Sequence, residues 1–152
     1  RLPEEDAVYY DVSWCMNVGE KIDPEYEKWF QIVYDAREDA RQFIQARLDA
    51  GEKVRGYEVD RRLKERFEQL GCAQYLMHRT GHNIGHRCHG IGANLDDYET
   101  HDDRCLLPGT MFSIEPGLYT DKYGVRLEYD VHITSEGETK VYGPVQDEIL
   151  VI

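Results

Sequence analysis

Apolar side chains recur at spacings of three and four from Tyr26 onward: Tyr26, Phe30, Val33 and Ala36, then Ala40, Phe43 and Ile44. That stripe predicts an amphipathic helix running to about Ala50. Asp23 is suited to cap it, Pro24 to open it and Gly51 to stop it. Val59, Leu63, Phe67 and Leu70 repeat the spacing and predict a shorter helix that ends at Gly71. Elsewhere the period is two. Residues 111–114 and 125–133 read as strands, and in the second Val125, Leu127, Val131 and Ile133 share one face while Arg126, Glu128, Asp130 and His132 share the other. A polar turn, Pro3-Glu4-Glu5-Asp6, precedes a β-prone run over residues 7–14, and a last β-prone run covers residues 145–152. Between helices and strands, residues 78–92 hold four histidines and four glycines, too many glycines for a stable helix. A strand, two helices and then mostly antiparallel strands predict an α+β fold, with helices laid over one face of a curved sheet.

The 152 residues are enough for one domain with a core and too few for two. Lys plus Arg number 18 against 30 Asp plus Glu, a net charge of −12 that opposes phosphate backbones and acidic membranes. An apolar fraction of 41% argues against disorder. No apolar run approaches the roughly 20 residues that span a bilayer, and no signal-peptide pattern opens the chain. Cysteines 15, 72, 88 and 105 form no C-x-x-C pair, so neither a zinc knuckle nor a redox motif is supported. Reduced thiols in a cytoplasmic protein are expected, with no nucleic-acid or membrane partner.

Three polar sets could carry chemistry: the histidines His78, His82, His86 and His89; Glu115, at the end of an apolar strand before Pro116-Gly117; and the Arg126, Glu128 face. A carboxylate among β-branched and aromatic neighbours is costly to bury unless paired or metal-bound. Taken singly, each set has an ordinary reading. The histidines at spacings of four would share a helix face as in zinc proteases, but no glutamate follows His82 and Gly81 and Gly85 interrupt the helix. A surface loop, a strand-end charge and a cross-strand ion pair would account for the three sets in turn. His101 with Asp102 and Asp103 reads as a solvated loop, and His132 as structural or exposed.

In order and spacing, four motifs together resemble the creatinase/aminopeptidase, or pita-bread, family, and within it the Xaa-Pro aminopeptidases and prolidases. The motifs are Ala7-Val8-Tyr9-Tyr10-Asp11-Val12-Ser13, Gly81-His82-Asn83-Ile84-Gly85, the run from Pro108 to Tyr119 that contains Ser113-Ile114-Glu115-Pro116-Gly117, and Gly124-Val125-Arg126-Leu127-Glu128. The resemblance covers essentially the whole chain. It implies a pita-bread fold and a dinuclear metal centre that hydrolyses peptide bonds. Asp11 is then the second aspartate ligand, His82 the single histidine ligand, and Glu115 and Glu128 the two glutamate ligands. His78 and His89 resemble substrate-contacting histidines, His89 near the scissile carbonyl, and Arg126 resembles an arginine that supports the site in Xaa-Pro-specific members. The family's first aspartate is expected at or before residue 1, so residues 1–152 are expected to form the C-terminal part of a larger catalytic domain. Gly90 and Tyr129 stand where many members carry acidic residues.

An oxygen-rich shell with one imidazole suits Mn2+ first, and also Co2+, Zn2+ or Fe2+, over copper. Two cations about 3.5–4 Å apart can share carboxylates and lower the pKa of a water from about 15.7 towards neutrality. Histidines nearby can donate to the oxyanion, roughly 3–4 kcal/mol for a good donor. By resemblance, Glu115 shuttles the proton from water to the leaving nitrogen. The implied partner is a peptide, cut to release the N-terminal residue of an Xaa-Pro sequence; a homodimer is compatible. Two rivals remain: a catalytically inactive pita-bread binding module, and a metal-free creatinase-like C–N hydrolase.

Overall fold

The computed structural model describes residues 2–152. The aspartate expected at or before residue 1 lies outside the described residues. Helix α1 spans Pro24–Asp49, and the Asp23 carboxylate accepts from the Glu25 amide at its N-terminus. Its predicted stripe is buried, apart from Phe43, which is half-buried. Arg37 is buried as well. Its guanidinium lies 4.5 Å from the Tyr129 ring centroid and donates to the Gln146 carbonyl at 3.0 Å. Helix α2, Gly56–Gln69, starts one turn before the apolar spacing begins, because Glu58 reaches back to accept from the Arg55 amide at 2.7 Å.

The strands fall into three small sheets. Taking β1 as Met16–Asn17, β2 as Asn83–Ile84, β3 as Met111–Ile114, β6 as Tyr129–Ile133 and β7 as Thr139–Val141, the central sheet runs β2-β3-β6-β7 and is antiparallel throughout. A hairpin joins β4, Gly117–Tyr119, to β5, Gly124–Arg126, while β8, Leu150–Val151, pairs parallel with β1. Register sets Phe112 opposite Val131 and Ile114 opposite Tyr129, all buried in the core that α1 and α2 cover. The alternate residues, Ser113 opposite Asp130 and Met111 opposite His132, face the other way. That second face carries the site.

Three expectations need correction. Residues 125–133 are two strands, not one. The ladder partner changes at the break: Leu127 still donates to Pro116, whereas Glu128 donates to Ser13 at 3.1 Å. Side-chain alternation continues across the break, so periodicity cannot reveal it. Residues 7–14 are extended but form no ladder strand, since their bonds go to Gly85, to the Asp130 side chain and to Glu128. Of residues 145–152 only β8 is a strand, because the Gln146 side chain takes over the bonds of a ladder, accepting from the Cys15 amide and donating to the Cys15 and Glu148 carbonyls. No helix among the described residues is long and apolar enough to cross a membrane.

Candidate metal centre

Four stretches of chain meet on the second face of the central sheet. Glu115 follows β3 directly, Glu128 precedes β6, Asp11 lies on the extended opening segment, and His82 sits beside the edge of β3. The His82 segment hugs that edge: Ser113 donates its amide to the His82 carbonyl at 2.9 Å, and Glu115 donates to Thr80 at 2.8 Å. Gly81 permits the approach, because a Cβ there would stand 2.0 Å from the Ser113 carbonyl oxygen. The Ser113 hydroxyl then ties the two elements together, accepting from the His82 amide at 3.0 Å and donating to Glu115 at 3.1 Å.

The result is a tight acidic cluster around one imidazole. Nε2 of His82 is 3.3 Å from Glu115 Oε1 and 3.7 Å from Asp11 Oδ2. Asp11, His82 and Glu128 each offer a donor atom within 4.8 Å of the others. The Ser13 hydroxyl donates to Glu128 at 2.7 Å and accepts from Arg126 Nε at 3.0 Å, and Arg126 also approaches Glu115 at 3.9 Å. Arg126 and Glu128 thus converge on Ser13, as their shared strand face predicts.

Burial and mutual repulsion leave these carboxylates short of positive charge. Burial first, then the Glu115 charge, pushes Glu128 up to about 7. Asp130 is also pushed up to about 7, by burial and by the charges of Glu128 and Asp11, against the Asp11 amide that donates to it. Burial raises Glu115, and the Asp11 charge adds to it. Burial lowers His82, which stays neutral with a free lone pair at neutral pH. One Asp130 oxygen is buried with no hydrogen-bond partner among the described residues. Clustered carboxylates around a neutral imidazole fit a divalent cation, which would supply the missing charge.

The remaining predicted site residues lie around this cluster. The His89 ring meets the His82 ring edge-on, centroids 4.2 Å apart, and His89 is exposed. His78 is further along the wall. Its Nδ1 lies 2.7 Å from the Arg79 carbonyl, so it carries the hydrogen, and Nε2 accepts from the Tyr119 hydroxyl at 2.8 Å. His132 is half-buried beside Tyr142. Asp102 is not solvated as expected but buried, accepting from the Asn94 amide and paired with Arg104.

Several contributors escaped the sequence reading. In the sequence Asp130 stands out only for sharing the strand face of Arg126 and Glu128, and Ser13 and Ser113 carry no motif-independent signal. Cys88 donates its S–H to Asp11 at 2.9 Å, and burial and that carboxylate push the thiol up to about 12. Asp60 and Asp96 are buried anchors. Asp60 accepts from the Thr80 amide and hydroxyl and from the Asp97 amide, while Asp96 accepts from the amides of Tyr98, Glu99 and Thr100. Acidic residues followed by turn-forming neighbours hint at such anchors, but only contacts distinguish them from solvated loops. A cleft of about 410 Å3 lined by Ser13, Trp14, Cys15, Tyr119, Gly124 and Arg126 opens beside the cluster.

Comparison with known proteins gives a consistent picture. A probable dipeptidase, PepE, of Mycobacterium tuberculosis is 36% identical over 90 residues, covering 58% of this chain and 23% of that protein. The crystal structure of a dipeptidase from Pyrococcus horikoshii superposes with a TM-score of 0.78 at 28% identity, covering 94% of this chain and 37% of the other. The solved structure of an Xaa-Pro dipeptidase from Bacillus anthracis also gives 0.78 at 28% identity, covering 94% of this chain and 38% of the other. The chain therefore spans well under half the length of these relatives, and its fold is the pita-bread fold. The profile of metallopeptidase family M24 matches residues 4–135, and the chain belongs to that family.

Proposed function

We propose that residues 1–152 form part of the catalytic domain of a metal-dependent peptidase, with Asp11, His82, Glu115 and Glu128 holding two divalent cations, Mn2+ foremost. The observation that carries this reading is the meeting of Asp11, His82 and Glu128 donor atoms within 4.8 Å, with Glu115 3.3 Å from the same imidazole. No purely structural role calls for three carboxylates around one neutral ring. Bound there, the cations supply the charge that acidifies a water and polarises the scissile carbonyl. Glu115 takes the proton of the attacking water and returns it to the leaving nitrogen, a role that its place 3.3 Å from His82 at the centre of the cluster suits. His89, exposed at the mouth, donates to the developing oxyanion. His78, tied to Tyr119, lines the approach as a substrate contact. Arg126 acts through Ser13, which holds the Glu128 carboxylate in one orientation.

The substrate in this reading is a short peptide with proline after the scissile bond. Trp14 and Tyr119 give the adjoining cleft flat apolar walls for a pyrrolidine ring. The names of several relatives point the same way, among them the Xaa-Pro dipeptidase of Bacillus anthracis. The test loads the full-length protein with Mn2+ or Co2+ and measures proline release from Xaa-Pro dipeptides and longer peptides, with Xaa-Ala controls. Glu115→Gln should lower the rate by about 100- to 10,000-fold. Two bound cations without cleavage of any peptide would instead mark a binding module, and undiminished hydrolysis after chelation a metal-free C–N hydrolase.

A further inference from the structure

The loop that carries His82 also carries Cys88 and His89, and the carboxylate set leaves the thiol unused. One donor atom each of His82, Cys88 and His89 lies within 4.8 Å of the other two. Zinc bonds to nitrogen and sulfur are roughly 2.0–2.3 Å long, so two of them end to end nearly span the widest gap. Cys88 is half-buried and His89 exposed, so both side chains can close the remainder and a cation can arrive from solvent. Two imidazoles and a thiolate form a soft donor set, opposite in preference to the oxygens of Asp11, Glu115 and Glu128.

We propose that His82, Cys88 and His89 form a second cation site that takes a soft divalent ion, Zn2+ or Cd2+, at the expense of the carboxylate set. His82 belongs to both. Its Nδ1 lies 3.3 Å from the Asn83 carbonyl, which leaves Nε2, the atom facing Asp11 and Glu115, as the nitrogen free to ligate. One nitrogen serves one cation, so capture of a soft ion withdraws His82 from the carboxylates. Binding breaks the Cys88 S–H bond and forms a sulfur–metal bond, the proton passes to solvent, and no electron is transferred. The hydrogen bond from Cys88 to Asp11, 2.9 Å, is lost in the same step. The soft site stands on the geometry of the loop; its antagonism to hard cations rests on the proposed carboxylate centre.

The experiment titrates Cd2+ into the full-length protein and reads the thiolate-to-cadmium charge-transfer band in the ultraviolet. A parallel titration follows Mn2+ release from the Mn2+-loaded protein by electron paramagnetic resonance. One band per chain is expected, absent in Cys88→Ser, retained in Cys105→Ser, and about tenfold or more weaker in His89→Ala, whose exposed ring can be removed without disturbing the fold. Glu128→Gln should keep the band, since it weakens only the carboxylate set. Cd2+ should release Mn2+ from the native protein, and about tenfold less effectively from Cys88→Ser. A native protein without the band, or a band that survives Cys88→Ser, overturns the proposal. A band without Mn2+ release overturns the sharing of His82. A protein that binds no Mn2+ at the outset defeats the carboxylate centre and leaves the soft site standing.

Discussion

Ser13 shows how much a single uncharged side chain does at this centre. Its hydroxyl points one hydrogen at Glu128, 2.7 Å away, and receives one from Arg126, 3.0 Å away. Glu128 thereby keeps a donor on one of its oxygens while it lies in the cluster. Ser13→Ala leaves the carboxylate buried with that partner lost and its orientation free. Mn2+ affinity, measured by isothermal titration, should fall about tenfold, the usual loss when an outer partner of a ligand is removed. The melting temperature should fall by no more than about 4–8 °C, since the Ser13 hydroxyl makes two hydrogen bonds worth about 1 kcal/mol each. Ser113 does the same for Glu115 and the His82 backbone. The carboxylates and the imidazole of the cluster were legible from motif and order. The serines were not, because a hydroxyl gains meaning only from what lies within 3 Å or so of it.

At the scale of elements, the centre depends on how closely the His82 segment lies against β3. Gly81→Ala would set a methyl 2.0 Å from the Ser113 carbonyl, an atom of backbone that cannot swing aside. The segment would have to separate from β3, breaking the bonds from Ser113 to His82 and from Glu115 to Thr80. A cost of about 3 kcal/mol, the upper end for overpacking, is expected, and with it a melting temperature lower by about 6–12 °C. Mn2+ binding should weaken along with it, because His82 leaves the carboxylates. Both helices were legible, α1 almost to the residue and α2 to within a turn, as capping and a buried stripe are local properties. The strand break at Leu127–Glu128 was not. It arises where β5 leaves one partner and the chain takes another, an event between distant segments that a period of two passes over unchanged.

For the whole molecule, acidic side chains gathered on one face create a dependence on protons that cations replace. Without metal, Glu128 and Asp130 titrate near 7 in the folded chain and near 4 when unfolded. Between those values the folded state holds more protons, so stability is greatest at the low end and declines as pH rises from about 5 to 7. His82, which burial lowers, opposes part of this decline in the same range, while burial of Glu115 adds to it; Asp97 and Asp102, whose basic partners depress them, act in the opposite direction at still lower pH. In a chelator, the melting temperature should therefore fall by several degrees over pH 5–7. With Mn2+ present, the decline should vanish or reverse, because the cation binds the ionised carboxylates and stabilises by about 2.7 kcal/mol at a hundred times its dissociation constant. A flat profile in the chelator would show that the carboxylates are not held close together.

What the sequence alone determined is whatever nearest neighbours along the chain settle. Two helices with their ends, strand β3, the absence of an apolar span and the order of four motifs follow from spacing, capping and residue chemistry. What only the tertiary structure decided is which distant groups share a space. Residues 11, 82, 115 and 128 lie far apart in the chain, and only the register of Ser113 against Asp130 and the close passage at Gly81 bring their atoms together. The same packing buried Asp102, left one Asp130 oxygen without a partner among the described residues and set the Cys88 thiol beside Asp11. Coulomb and hydrogen-bond energies change over a few ångströms in space, a distance to which separation along the chain gives no guide.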